Sequence, residues 1–202
     1  MAISNCSSFD AKPLPLKLGE KLYLNKLALK QVKVAVGCDS SELRLNLDTM
    51  IFLLQGGKVH DARDLVNHSG NGNTSHYSGA VVHKSCPSPS QWFAKEQNSE
   101  EIFIELDKIP KHIDEVAVAA SLCEGLGHLP NLNDTHVSLE FPDCTGNTKV
   151  LHFGVTGAAP TDNGMVLVRF CRQDNCWTIE AVGEGRTGGL TGLCKSYGLD
   201  VR

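Results

Sequence analysis

The chain has no excess of positive charge. Lys and Arg number 19 against 23 Asp and Glu, a formal net charge of -4. Nucleic-acid binders carry a basic stripe or patch, so this balance argues against that class. It also gives no electrostatic pull toward anionic membranes. No run approaches the roughly eighteen consecutive apolar residues that a spanning helix needs, so no membrane span is expected. The opening MAISNCSSFDAKPLP lacks a basic region followed by an apolar one. No secretory leader is therefore expected, and the cytoplasm is the expected compartment. No C-x-x-C pair occurs among the eight cysteines, which removes the usual zinc and thioredoxin spacings. Cytosolic thiols stay reduced, and free cysteines behave as small core residues.

What is present is short, alternating apolar sequence. The chain has 202 residues and is 41% hydrophobic, enough for one domain with a sizeable core. Residues 1–15 are polar and proline-bearing and read as a flexible N-terminal tail, with the domain over 16–202. LKLGEKLYLNK places Leu16, Leu18, Leu22 and Leu24 on one face. QVKVAVGCD and ELRLNLDTMIFLL alternate in the same way. EIFIEL, EVAVAASL, HVSLEF, VLHFGV, GMVLVRFC and WTIEAVGEG follow. Period-two patterning at this density predicts β-structure with one buried face. Polar turn pairs such as Gly56-Gly57 and Asn163-Gly164 separate the runs, which suggests a sandwich or a barrel. Helical pattern is scarce and is best near Gly189 to Tyr197. The irregular stretch from His68 to Glu100 is rich in Ser, Asn, Gly and Pro, and long loops of this kind are functional or mobile.

Gly183, Gly185 and Gly188 spell G-x-G-x-x-G, the dinucleotide fingerprint. That motif needs a following helix and a second parallel strand, with an acidic residue about 20 positions further on. Only fourteen residues follow Gly188, so no such unit closes here. No G-K-[ST] follows either, so no nucleotide cofactor is expected. The glycines read instead as a sharp bend with close backbone approach.

Other constellations are weaker. Cys171 and Cys176 flank four residues in FCRQDNCW and are expected as a hairpin end with the two thiols across from each other. That leaves a disulfide, a metal pair or two reduced thiols as alternatives. His60, His68, His76 and His83 lie near the long loop with Cys86. Their spacing matches no zinc signature, and loop histidines are commonly just solvated. No G-x-S-x-G or H-E-x-x-H occurs, and nothing fixes a base to a nucleophile. No catalytic residue is expected.

The order of several segments resembles the bacterial tellurium-resistance family of the TerD type. LKLGEKLYLNK is similar to its opening hairpin, VKVAVGCD to a strand ending in Gly-x-Asp, and LNLDTMIFLLQGGKV to a strand with spaced acids. SGAVVH leads into the long loop, and SEEIFIELDKIP has the acidic start and Pro turn. CWTIEAVGEGRTGGLTGLCKSYGLDV is similar to the C-terminal signature of Trp, Gly-rich bend and short closing helix, the most specific segment. The resemblance covers about Leu16 to Val201. It implies a mostly β, two-sheet β-sandwich with a few short helices. It implies a non-enzymatic cytoplasmic stress-response protein, linked to tellurite, phage and colicin resistance, that associates with other proteins, some of them from the same system.

The resemblance also implies calcium, held by acidic side chains where loops meet one end of the sandwich. The alternating acids of the family's strand stand here as Arg44, Asn46 and Asp48. Its Gly-Asp-Asp-Glu stands as Asn98, Ser99, Glu100 and Glu101. Its Gly-Asp-Asn is replaced by Ser85, Cys86 and Pro87. Asp39 matches. The oxygen set is then Asp39, Asn46, Asp48, Glu100 and Glu101. Calcium affinity follows ligand charge and count, so the expected site is weak, single or lost. Arg44 is expected to replace an ion by charge-assisted bonds to these acids.

Overall fold

The computed structural model describes residues 13–23, 30–38, 47–67, 72–84, 100–122, 132–142, 145–159, 161–173 and 176–200. Twelve strands and one helix are described: β1 Leu14–Pro15, β2 Lys21–Tyr23, β3 Gln31–Cys38, β4 Leu47–Leu54, β5 Leu65–Asn67, β6 Val81–Lys84, β7 Glu100–Glu105, β8 Glu115–Leu122, β9 Thr135–Pro142, β10 Thr148–Gly154, β11 Gly164–Gln173, β12 Cys176–Arg186 and α1 Gly189–Ser196. Single 3₁₀ turns lie at Ala62–Asp64, Leu106–Lys108 and Leu132–Asp134.

The strands form two six-stranded sheets. The first runs β1-β10-β9-β3-β7-β6 and the second β2-β12-β11-β8-β4-β5. Every pairing is antiparallel except β1 beside β10. The architecture is the mostly β, two-sheet sandwich with a short C-terminal helix that the resemblance implied. The expected opening hairpin is replaced by a crossing. The chain turns at Lys17 to Glu20, where Glu20 N–H donates to Lys17 C=O at 2.9 Å. β1 then lies in the first sheet and β2 in the second. Leu14 pairs with Leu151, so the sheet starts inside what reads as the tail.

Alternation explains the core. Val32, Val34 and Val36 of β3, Ile102 and Ile104 of β7, and Val137 and Leu139 of β9 meet Ile51, Leu53, Val116, Val118 and Phe170 between the sheets. The second sheet is apolar on its other face as well. There Met50, Phe52, Leu54, Ala117, Ala119 and Val166 pack beneath Leu193, Cys194 and Tyr197 from α1 and the turn after it. This double burial is why MIFLL in β4 is continuously apolar rather than alternating. Ala117 and Ala119 keep the sheet thin where the helix lies on it, and the Phe52 and Tyr197 rings sit 4.7 Å apart.

The glycine-rich segment is the bend that delivers α1. The β11–β12 register slips between Val166 and Val168, placing Val182 and Gly183 of β12 against Leu167 of β11. Gly183 sits in this bulge at φ 65°, in the left-handed region. Gly185 has Asp162 Oδ2 only 2.0 Å from where a Cβ would stand, so a larger residue there would displace the Asp162 side chain. Asn163 Oδ1 then accepts from Gly189 N–H at 2.6 Å and satisfies the first turn of α1.

Candidate functional site

One end of β4, β6 and β7 gathers the polar chemistry. Thr49 comes from the second sheet, His83 and Glu100 from the first. Glu100 Oε2 accepts from Thr49 N–H at 3.0 Å and from the Thr49 hydroxyl. His83 Nε2 lies 2.9 Å from Thr49 Oγ1 and 3.2 Å from Glu100 Oε2. His83 is fully buried and Glu100 mostly so, at 19% side-chain exposure. Three donors on one carboxylate oxygen make a charge-assisted cluster that ties the sheets together at this end. Glu100 was legible as an acid near the family's calcium positions. Thr49 and His83 were not, because nothing in sequence links residues 51 positions apart.

Neighbouring acids do not join this cluster. Successive strand residues face opposite ways, so Glu101 leaves β7 on the outer face of the first sheet. There it pairs with Lys33 at 2.7 Å, and Glu140 holds the same ammonium at 3.6 Å. Burial acts to lower the Lys33 pKa, but Glu101 and Glu140 together raise it above its ordinary value. On β4, Asp48 shares the parity of Met50 and Phe52, the face toward α1, whereas Thr49 shares that of Ile51 and Leu53. By strand parity Asp48, Glu100 and Glu101 therefore face three different spaces. Asp39, Asn46 and Arg44 lie outside the described residues. Among the described residues, no group of three or more His, Cys, Asp or Glu is placed to hold a metal.

Among the described residues, His60, His76 and His83 form no metal cluster either. His60 contacts Gln55 C=O at 3.2 Å, and His68 and Cys86 lie outside the described residues. His76 is buried with Asp64, whose Oδ1 sits 3.0 Å from Nε2. Ser78 Oγ lies 2.7 Å from the other ring nitrogen. The order resembles a Ser-His-Asp relay, but the N–H groups after Tyr77 are engaged within the turn. Ser78 N–H goes to His76 Nδ1 at 3.3 Å, Gly79 N–H to His76 C=O at 2.9 Å, and Ala80 N–H to Ser78 Oγ at 3.1 Å. The Asp64–His76 pair instead joins the segment entering β5, the edge of the second sheet, to the turn entering β6, the edge of the first.

Cys171 and Cys176 are also displaced from expectation. The hairpin closes with Gln173 opposite Cys176, and Cys171 faces Thr178. The thiols are diagonal neighbours, with Cβ atoms about 7 Å apart in such an arrangement, beyond the 3.5–4.5 Å a disulfide needs. Both are free. Burial is the main cause that pushes the Cys171 thiol up, with Glu115 and Glu180 adding to it. This is opposite to an activated thiolate.

An open depression of about 200 Å³ lies on the outer face of the first sheet, lined by Gln31, Lys33, Phe103, Glu140, Phe141, Pro142 and Thr148. Its one cation is already neutralised by Glu101 and Glu140. No described helix is long and apolar enough to cross a membrane.

With this geometry in hand, the likeness to known proteins is informative. The TerD domain profile matches residues 13–197. The chain is 24% identical over 193 residues to "Tellurium resistance protein TerD" of Serratia marcescens, covering 92% of this chain and 97% of that protein. It is 24% identical over 197 residues to "Uncharacterized protein YceE" of Bacillus subtilis (strain 168), covering 93% and 99%. It is 23% identical over 198 residues to "General stress protein 16U" of the same organism, covering 93% and 98%. Among solved structures, a homologue of telluride resistance protein (TerD) from Streptomyces coelicolor A3(2) superposes with a TM-score of 0.58 at 18% identity, covering 85% of this chain and 97% of that chain. At that identity the superposition speaks for the fold alone. The profile match spans nearly the whole domain, from β1 through the closing helix, and so the chain belongs to the TerD domain family.

Proposed function

We propose that this protein is a non-enzymatic, cytoplasmic stress-response member of the tellurium-resistance type whose calcium site is reduced to a weak single site or lost. It works by associating with other proteins. The observation that carries this reading is the divergence of Asp48, Glu100 and Glu101 into three spaces. Calcium needs six to eight oxygens around one point, several of them carboxylate. Here one Glu100 oxygen is saturated by Thr49 and His83, and Glu101 is held by Lys33. The names of two relatives, a tellurium resistance protein and a general stress protein, support the stress-response setting. The half-buried Cys171 thiol, whose pKa burial pushes up, supports a role without thiolate chemistry.

Calorimetry with calcium tests the reading. The expected result is no tight site, with at most one weak one. Two tight calcium sites would overturn it. A thermal melt separates the two forms of the proposal, because a ligand that binds the native state raises the midpoint by mass action. A rise at millimolar calcium indicates a weak retained site. No rise indicates a metal-free interaction scaffold.

A further inference from the structure

The turn from His76 to Ala80 holds a base and a hydroxyl in one line, and the link between the sheets uses only half of it. Asp64 Oδ1 lies 3.0 Å from His76 Nε2, and Ser78 Oγ lies 2.7 Å from Nδ1. A backbone N–H can only donate, so the bond from Ser78 N–H at 3.3 Å makes Nδ1 an acceptor. The ring proton therefore sits on Nε2 and is donated to Asp64. Ser78 Oγ already accepts from Ala80 N–H at 3.1 Å, so its own proton turns to Nδ1. The sheet link needs only Nε2 and Asp64. In this tautomer His76 is also a base set to take the serine proton, with a carboxylate behind it to hold the imidazolium.

The line runs from the interior to the surface. Asp64 and His76 are each 2% exposed, which shields the base from water. Ser78 is half-buried, and a Cβ at Gly79 would meet nothing within 4 Å, so the outer side of the turn is open. Tyr77 is 54% exposed, with its ring centroid 4.1 Å from that of His76. It offers an apolar seat beside the hydroxyl. The N–H groups of Ser78, Gly79 and Ala80 are engaged within the turn. With those donors occupied, the reaction rests on the base and needs a good leaving group.

We propose that Ser78 takes one acyl group from an activated donor of the thioester or acyl-phosphate class. Ser78 Oγ attacks the donor's carbonyl carbon. The new O–C bond forms, and the bond from that carbon to sulfur or phosphate oxygen breaks. Its electron pair leaves with the thiolate or phosphate. The serine proton passes to His76 Nδ1 and on to the leaving group. The product is a serine ester formed once per chain, so Ser78 is a modification site and not a turnover centre. It uses no residue of the calcium reading, and the two proposals stand or fall separately.

The test uses the full chain and p-nitrophenyl acetate as the probe. One equivalent of p-nitrophenolate is expected, with one acetyl group on the peptide that carries Ser78. General-base help contributes about 10²–10⁴-fold, so Ser78 should label about a hundredfold faster in the folded chain than in urea. His76→Gln removes the base and should slow labelling about a hundredfold or more. Asp64→Asn can donate to Nε2 and turn the ring to the other tautomer, and should slow labelling about tenfold or more. A merely structural role for either residue would leave the labelling rate of the folded variant in place, and thermal melts show that each variant folds. Ser78 left unmarked, labelling equally fast in urea, or labelling unchanged in His76→Gln overturns the proposal. The comparison of folded chain with urea depends on no variant.

Discussion

Replacing Thr49 with valine removes one hydroxyl and keeps the side chain's shape. Thr49 is 1% exposed, so water cannot replace what is lost. The hydroxyl sits between His83 Nε2 and Glu100 Oε2, both bonded to it in the folded state. Hydrogen bonds to charged groups contribute about 1.5–3 kcal/mol each, and a buried partner left unsatisfied costs about 1–3 kcal/mol. Glu100 keeps Thr49 N–H and His83 as donors, which places the expected loss at about 1–3 kcal/mol. For a domain of this size each kcal/mol moves the midpoint by about 2–4 °C, so calorimetry should show a fall of roughly 3–10 °C. Thr49→Ser keeps the hydroxyl and loses one methyl, and should cost about 1 kcal/mol. Glu100→Gln weakens the same cluster, so the double variant Thr49→Val with Glu100→Gln should lose less than the sum of the singles. A Thr49→Val loss below about 0.5 kcal/mol, or strict additivity in the cycle, would refute the idea that this cluster ties the two sheets together.

Leu193→Ala empties a fully buried position between α1 and the second sheet and should cost about 2–5 kcal/mol in urea unfolding. Gly183→Ala must adopt a left-handed conformation beside Leu18 and should cost about 1–2 kcal/mol for the backbone alone, whereas Gly183→Asn should cost less. Burial pushes the Cys194 thiol up to about 11. The folded state therefore holds this proton more tightly than the unfolded one. Stability is intact below the ordinary thiol range and falls as pH rises from there toward about 11. Cys194→Ala should flatten that alkaline fall in a pH series of denaturation curves. Cys171 and Cys176 should both be alkylated when the protein is denatured without reductant, and a peptide map will show whether they are.

The strands were legible because alternation is a direct imprint of a two-sided sheet. In β3, Val32, Val34 and Val36 are buried, whereas Lys33 and Ala35 between them are only half-buried. β4 was the exception. Its face toward α1 is apolar because a helix from more than a hundred residues away covers it, and no local pattern announces that partner. The Trp177-to-Gly198 segment told most, since each glycine there answers a backbone constraint. The polar site was poorly legible. Glu100 and Glu101 are adjacent in sequence, yet alternation sends them to opposite sides of the sheet. Thr49, which occupies Glu100, looks like an ordinary strand residue, and His83 reads with the histidines near the long loop rather than with Glu100. Cys171 and Cys176 were misjudged because the strand pairing runs two residues further into the hairpin than the flanking sequence suggested.

The position of α1 in chain order has a consequence for synthesis. All twelve described strands precede it, and the strip formed by Met50, Phe52, Leu54, Ala117, Ala119 and Val166 packs against Leu193, Cys194 and Tyr197, which arrive last. On the ribosome, both sheets can pair while this strip still faces water. A nascent or truncated chain that stops before Gly189 would be a sandwich with one sticky side, prone to self-association. The closing helix therefore acts as a completeness check, since a chain cut short before it keeps the patch that chaperones and proteases bind.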